Sequence, residues 1–107
     1  MKLQILTAIT LFTIGLNAQA EDKLDSYKEI RPIWTTCAAC HGAQGQGGIG
    51  PKLAGQSADD IIGKLLHYKA GHTIGPQSAM MWPTAKQLTD GQIGTIGVYI
   101  QQGFPNE

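Results

Sequence analysis

The sequence predicts an all-α protein, and two observations support that prediction. Three segments place apolar residues at intervals of three and four, the spacing that lines one face of a helix, and each begins at a serine or threonine suited to cap a helix. Beyond residue 20, no segment alternates apolar and polar residues in the manner of a half-buried strand. We therefore expect about three helices and no sheet.

The first predicted helix spans about residues 26–40. Ser26 and Glu29 fit a capping box, in which each side chain bonds the backbone N–H of the other residue. Pro32 lies inside this segment and is expected to kink the helix or delay its regular start, because proline has no N–H to donate. The apolar stripe consists of Tyr27, Ile30, Ile33, Trp34 and Cys37.

The second and third predicted helices have clearer ends. The second begins at an N-cap on Ser57 and runs to about Ala70, where Gly71 is the expected C-cap. Its predicted buried side comprises Ile61, Ile62, Leu65, Leu66 and Tyr68. The third begins at Thr89 and ends before Gly103. Its stripe is Ile93, Ile96, Tyr99 and Ile100.

The first twenty residues have the pattern of a secretory signal peptide. Lys2 precedes a mostly apolar run over residues 3–16, and Ala18-Gln19-Ala20 fits the small-residue cleavage pattern. The run is too short, and too often interrupted by polar residues, to predict a membrane span; an uncleaved anchor is the alternative. We expect cleavage after Ala20, which leaves residues 21–107 as one exported domain without an integral membrane span.

The chemistry-bearing motif is Cys37-Ala38-Ala39-Cys40-His41, which holds the chain's only two cysteines. Positions three apart share one face of a helix, so both thiols can reach the same flat partner. C-x-x-C-H is the attachment pattern of a c-type haem, whose two vinyl groups bond the thiols while the histidine turns onto the iron. A thiol–disulfide oxidoreductase would need C-x-x-C in a βαβ context, and the sequence predicts no strand.

The small size of the chain favours a bound cofactor. A chain this short buries only about 60–65% of its unfolded surface, so a covalently held haem would add needed apolar volume to the core.

The eight basic and eight acidic residues balance, and loss of Lys2 leaves one excess acidic residue. No basic run or stripe exists, so neither nucleic acid nor an anionic membrane surface is expected as a partner.

A glycine-rich segment offers a misleading pattern. Gly45, Gly47 and Gly50 fit G-x-G-x-x-G, which binds dinucleotides when it follows a strand and opens a helix. Here it follows a helix that ends in Cys-His. We expect instead a loop that wraps closely around the haem edge, for which residues without side chains are suited.

Together these features make the chain resemble a class I c-type cytochrome, of the small bacterial periplasmic mono-haem type whose domains also occur in tandem in di-haem cytochromes. The resemblance covers roughly residues 30–102. It implies the cytochrome c fold, about three helices wrapped around one covalently attached haem c, and a periplasmic one-electron carrier between a redox donor and an acceptor. It rests on CAACHG at 37–42, GPKLAGQ at 50–56, YKAG at 68–71, a methionine, and LTD at 88–90 before a Tyr99-containing helix.

The resemblance also implies roles on the histidine side of the haem. Cys37 and Cys40 would form the two thioethers, and His41 would be an axial iron ligand. The carbonyl of Pro51 would accept a hydrogen bond from Nδ1–H of His41, which leaves Nε2 for iron. Leu53 would pack against the haem on the same side.

The sixth iron ligand is predicted from the same resemblance. In the family, a methionine lies seven residues before the apolar residue that begins the cap of the last helix, and counting back from Leu88 gives Met81. The neighbouring Met80 is the alternative, and His67, His72 or water are others. Trp82 is expected to shield this haem face from water, and its indole N–H could donate to a haem propionate.

The family resemblance further implies that the first and last helices cross. We expect Ile30 and Trp34 to meet Ile96, Gly97 and Tyr99 there. The helical glycines Gly94 and Gly97 each cost about 1 kcal/mol relative to alanine, and close helix approach is the simplest compensation.

Saturation of the iron by histidine and methionine predicts electron transfer rather than catalysis, because no position remains for a substrate. Two alternatives stay open. The chain could be the haem subunit of a larger dehydrogenase or oxidoreductase complex. A catalytic or gas-sensing haem protein would require a displaceable sixth ligand.

Overall fold

The computed structural model describes residues 16–105, with side chains from residue 27 onward. The predicted all-α class is confirmed, because the described residues form four α-helices, one 3₁₀ turn and no strand. Residues 1–15 of the predicted signal peptide lie outside the described range, and cleavage after Ala20 stays a prediction. The helices are α1 (Leu16–His41), α2 (Ala58–Lys69), α3 (Trp82–Lys86) and α4 (Asp90–Gln101), with the 3₁₀ turn at Ser78–Met81.

Helix α1 already includes residues 16–25 in the described range, so the predicted start at Ser26 is wrong. Residues 17–25 contain neither glycine nor proline, and their alanine, glutamate, lysine and leucine residues favour helix propagation. Ser26 therefore lies inside the helix and does not cap it. The helix also continues through Pro32, so this proline does not delay its start.

Helices α2 and α4 begin where their caps predict. The Ser57 hydroxyl accepts a hydrogen bond from the Asp60 N–H at 3.1 Å. The capping box of α4 is complete: the Gln92 N–H donates to Thr89 Oγ1 at 3.1 Å, and the Thr89 N–H donates to Gln92 Oε1 at 2.9 Å. After α2, Gly71 adopts a positive φ of 78°, the left-handed conformation that glycine favours at helix ends.

The 3₁₀ turn and α3 are the elements that sequence reasoning missed. Pro83 occupies the second position of α3, in the first turn of the helix, where a missing N–H removes no helical hydrogen bond. The segment between α2 and α4 is therefore partly helical rather than a simple loop. This helical path fixes the directions of Met80, Met81 and Trp82.

Aromatic side chains join the ends of α1 and α4. The Tyr99 ring lies 5.4 Å from that of Tyr27 and 6.2 Å from that of Trp34, measured between centroids. Phe104, just beyond α4, lies 4.5 Å from Trp34. The predicted stripe of α4 is fully buried, and the core cluster comprises Tyr27, Ile30, Trp34, Ile61, Leu65, Leu88, Ile93, Ile96, Tyr99, Ile100 and Phe104.

Three packing predictions need correction. Gly97 faces α2 rather than α1, because a Cβ there would lie 2.6 Å from Ile62 Cγ1 and 3.0 Å from the Ala58 carbonyl oxygen. Gly97 therefore allows α4 to approach α2. Gly94 has no neighbour within 4 Å of a Cβ position, so packing does not explain it. Leu66, predicted as buried, is 40% exposed because it lies on the outer side of α2.

Candidate haem-binding site

A largely apolar cavity of about 390 Å³ opens between the end of α1, α2, the 3₁₀ turn and α4. Its volume lies in the range of pockets that hold cofactors, about 300–1,000 Å³. The predicted site residues Cys37, His41, Pro51, Leu53 and Met81 all line it. Further walls come from Trp34, Gln56, Ile61, Lys64, Leu65, Tyr68, Ile74, Ser78, Leu88, Ile96 and Ile100.

His41, the last residue of α1, is held in one orientation. Its side chain is 6% exposed, and its Nδ1 lies 2.8 Å from the carbonyl oxygen of Pro51. A carbonyl oxygen can only accept, so Nδ1 carries the proton and Nε2 keeps its lone pair. An imidazole in this tautomer is prepared to bind a metal ion through Nε2.

The glycine-rich loop closes over the His41 ring. The Gly47 N–H donates to the His41 carbonyl at 2.7 Å, and the Gly50 N–H donates to the Cys40 carbonyl at 2.8 Å. A Cβ on Gly50 would lie 2.7 Å from His41 Cε1, closer than side-chain carbons approach. Glycine is therefore required at residue 50 because the ring packs directly against the backbone, as expected of a loop that wraps the site.

The two cysteines lie one helical turn apart at the end of α1, and both are free and half-buried. Cys37 lines the cavity, whereas Cys40 lies outside its lining. Burial raises the pKa of the Cys37 thiol; a backbone hydrogen bond opposes this increase, and the neighbouring Cys40 adds to it. A raised pKa disfavours the thiolate that a disulfide oxidoreductase needs as its nucleophile.

Met80 and Met81 point to different surroundings. Met81 lines the cavity and packs against the hydrophobic core, whereas Met80 is 63% exposed and lies outside the lining. The 3₁₀ turn that contains both is held by Ser78, whose hydroxyl accepts the backbone N–H groups of Ile74 and Gly75 at 2.8 Å each. His67 and His72 are exposed and do not line the cavity.

Trp82 does not have the predicted place at the site. Its side chain is outside the cavity lining, and its indole N–H donates to the His72 carbonyl at 3.0 Å. As the first residue of α3, Trp82 points back towards the preceding loop. Trp34 is the tryptophan that lines the cavity, and its indole N–H donates to the Ala43 carbonyl at 3.2 Å.

A polar pair on α2 and the loop before it was not predicted either. The Lys64 ammonium donates to Gln56 Oε1 at 2.8 Å, and both residues line the cavity. Among the lining residues of the described chain, Lys64 is the only lysine, arginine, aspartate or glutamate. The helical pattern assigns Lys64 to the polar side of α2, so it gives no signal of this position.

The donor set fits a covalently bound haem. His41, whose Nε2 keeps its lone pair, and Met81 both line an apolar cavity, and imidazole with thioether is the ligand pair of cytochromes c. Two thiols on one helix face adjoin that imidazole, as thioether attachment requires.

Known proteins share extended sequence similarity with this chain. Residues 27–103 match the family model for cytochrome c. The chain is 42% identical over 66 residues to cytochrome c-554(548) of Halomonas halodenitrificans, an alignment that covers 60% of this chain and 80% of the relative. It is 39% identical over 74 residues to cytochrome c-554(547) of Halothiobacillus neapolitanus, with 61% and 81% covered. Identity to cytochrome c-553 of Nitratidesulfovibrio vulgaris is 30% over 73 residues, with 65% and 72% covered.

Proposed function

The chain belongs to the cytochrome c family, and on that premise we propose that it is a periplasmic one-electron carrier whose haem iron is bound by His41 and Met81. Family membership carries the coarser statements: the protein is a haem electron carrier with one covalently bound haem c, rather than a catalytic enzyme. The observation that carries the proposal is the cavity with an oriented imidazole and a methionine thioether in its walls.

Each part of the proposed site has a distinct role. Cys37 and Cys40 would form the two thioether bonds, and His41 would bind iron through Nε2 while Pro51 fixes its ring. Leu53 and the other apolar walls exclude water. When bound, the haem supplies a one-electron couple, and methionine ligation together with an apolar environment raises its reduction potential.

The proposed ligand pair leaves no vacant iron position, and this distinguishes a carrier from a catalytic or gas-sensing protein. Holoprotein from a host that attaches haem covalently is expected to give a c-type pyridine haemochrome spectrum. Its ferric form should show the long-wavelength absorption band of methionine-bound iron. Its ferrous form should not bind carbon monoxide readily at neutral pH. Ready binding of carbon monoxide would contradict the saturated site.

Periplasmic location depends on export, which gives a separate prediction. The Ala18-Gln19-Ala20 pattern predicts cleavage after Ala20 and a single domain over residues 21–107. No helix in the described part of the chain is long and apolar enough to cross a membrane. We expect the intact mass of the holoprotein to equal residues 21–107 plus one haem. A mass that retains residues 1–20 would contradict cleavage and favour a membrane-tethered carrier.

We also propose that Lys64, the only lysine, arginine, aspartate or glutamate among the described lining residues, would pair with a carboxylate of the bound haem. Because reduction adds an electron, a nearby cation favours the reduced form, and Lys64→Gln is expected to lower the reduction potential by on the order of tens of millivolts. Protein-film voltammetry would measure the shift. Lys86→Gln is the matched control, because it removes an exposed lysine that does not line the cavity. Equal shifts in both variants would contradict a specific role for Lys64.

A further inference from the structure

Two exposed histidines meet at the C-terminal end of α2, away from the haem cavity. The rings of His67 and His72 lie 5.6 Å apart between centroids and are nearly perpendicular, at 86°. Neither lines the cavity, and among residues 27–105 no hydrogen bond or ion pair to either imidazole is found. Both rings therefore have nitrogen lone pairs available to an external ligand.

The backbone holds this pair in place through the helix ending. The His72 N–H donates to the His67 carbonyl at 2.9 Å, and the Gly71 N–H donates to the Tyr68 carbonyl at 2.9 Å. These two bonds, with the positive φ of Gly71, form a Schellman motif, which brings the residues at its two ends side by side. Here both of those residues are histidines.

A second contact holds the backbone of His72. The carbonyl of His72 accepts the indole N–H of Trp82 at 3.0 Å, which ties the loop after α2 to the start of α3. The two histidine backbones are thus held by hydrogen bonds on both sides, and only side-chain torsions remain free. A ligand that bridges the rings would therefore lose little further backbone entropy on binding.

We propose that His67 and His72 form a surface site for one divalent transition-metal ion, with Cu²⁺ preferred over Ni²⁺ and Zn²⁺. Imidazole nitrogens bind these ions at about 2.0–2.1 Å. If the nitrogen–metal–nitrogen angle lies between the square-planar and the tetrahedral value, the centroids of the two rings are roughly 4.5–5.2 Å apart. The observed centroid distance of 5.6 Å is slightly larger. Both side chains are exposed, so their torsions can turn one nitrogen of each ring towards a shared ion. Water completes the coordination.

The local electrostatics also favour a cation. The C-terminal end of α2 carries the negative end of the helix dipole, which attracts cations within the last turn. The nearest lysine in sequence, Lys69, has its ammonium 2.9 Å from Asp90 Oδ1, so much of its repulsion is neutralised. Cu²⁺ is expected to bind most tightly because it leads the affinity order of the divalent first-row metals at nitrogen sites.

Titration of the ferric holoprotein with Cu²⁺ tests the site, followed by electron paramagnetic resonance. We expect one bound ion with superhyperfine coupling to two imidazole nitrogens. His67→Gln and His72→Gln should each weaken Cu²⁺ binding at least about tenfold, because each leaves a single imidazole. Thr73→Ala is the matched control, an exposed neighbour in the same loop, and should bind as the natural chain does.

Three results would overturn this proposal. The first is no binding of Cu²⁺ at micromolar concentration, and the second is unchanged affinity in either glutamine variant. The third is binding of two ions, each coupled to one nitrogen, which would mean two independent histidines. The haem absorption spectrum of every variant should match that of the natural chain, which confirms folding and separates this test from the proposed function.

Discussion

Replacing His41 with alanine is expected to abolish the low-spin haem spectrum and to reduce the yield of holoprotein severely. No other imidazole lines the cavity, since His67 and His72 lie at the exposed end of α2. The substitution also removes a buried ring that packs against Gly50, and the cavity left behind should cost about 3 kcal/mol of the free energy of unfolding.

The absorption spectrum and the holoprotein yield would measure this loss. Thr36→Ala is the matched control. Thr36 lies on α1 next to the Cys-x-x-Cys-His motif, is exposed and does not line the cavity. Added imidazole should partly restore the low-spin spectrum of any His41→Ala holoprotein, because it can occupy the space of the missing ring. A normal yield and spectrum without added imidazole would refute His41 as the ligand.

The elements that could be predicted from sequence are those fixed by local hydrogen bonds. Ser57 and Thr89 begin α2 and α4 as predicted, because a cap needs only its own residue and one three positions later. Gly71 ends α2 for a similarly local reason, its positive φ. The apolar stripe of α4 is buried in full because its spacing matches the helical period.

The predictions are wrong where distant contacts or competing local preferences determine the structure. Ser26 has the pattern of a cap, but the residues before it favour helix strongly enough that α1 already includes residues 16–25. Gly97 was expected to face α1, and its true neighbours, Ala58 and Ile62 on α2, depend on how three helices pack. Nothing in the spacing of a single helix specifies which of two partners comes closer.

The same difference between local and distant contacts applies to the candidate site. The motif around His41 and the loop through Gly50 and Pro51 are contiguous in sequence, so their contacts follow from short-range geometry. Trp82 and Trp34 could not be told apart in this way, because α3 turns Trp82 towards His72 and tertiary packing brings Trp34 to the cavity. Lys64 reaches the cavity for the same tertiary reason.

Replacing Met81 with alanine is expected to remove the long-wavelength absorption band of the ferric protein and to lower its reduction potential. Loss of the thioether leaves the sixth iron position to water, a harder ligand that stabilises the oxidised state. Because the axial ligands set the reduction potential of a haem over a wide range, we expect the potential to decrease by on the order of 100 mV or more. The ferrous variant should also bind carbon monoxide.

Met80→Ala is a closely matched control for this change, since it removes the same side chain from the adjacent position. Met80 is 63% exposed and outside the cavity, so its loss should leave the band, the potential and the inertness to carbon monoxide nearly unchanged. The two variants differ only in which side of the 3₁₀ turn loses its thioether. If both variants keep the band, the iron has another ligand; if only Met80→Ala loses it, the turn must reverse these two side chains when haem is bound.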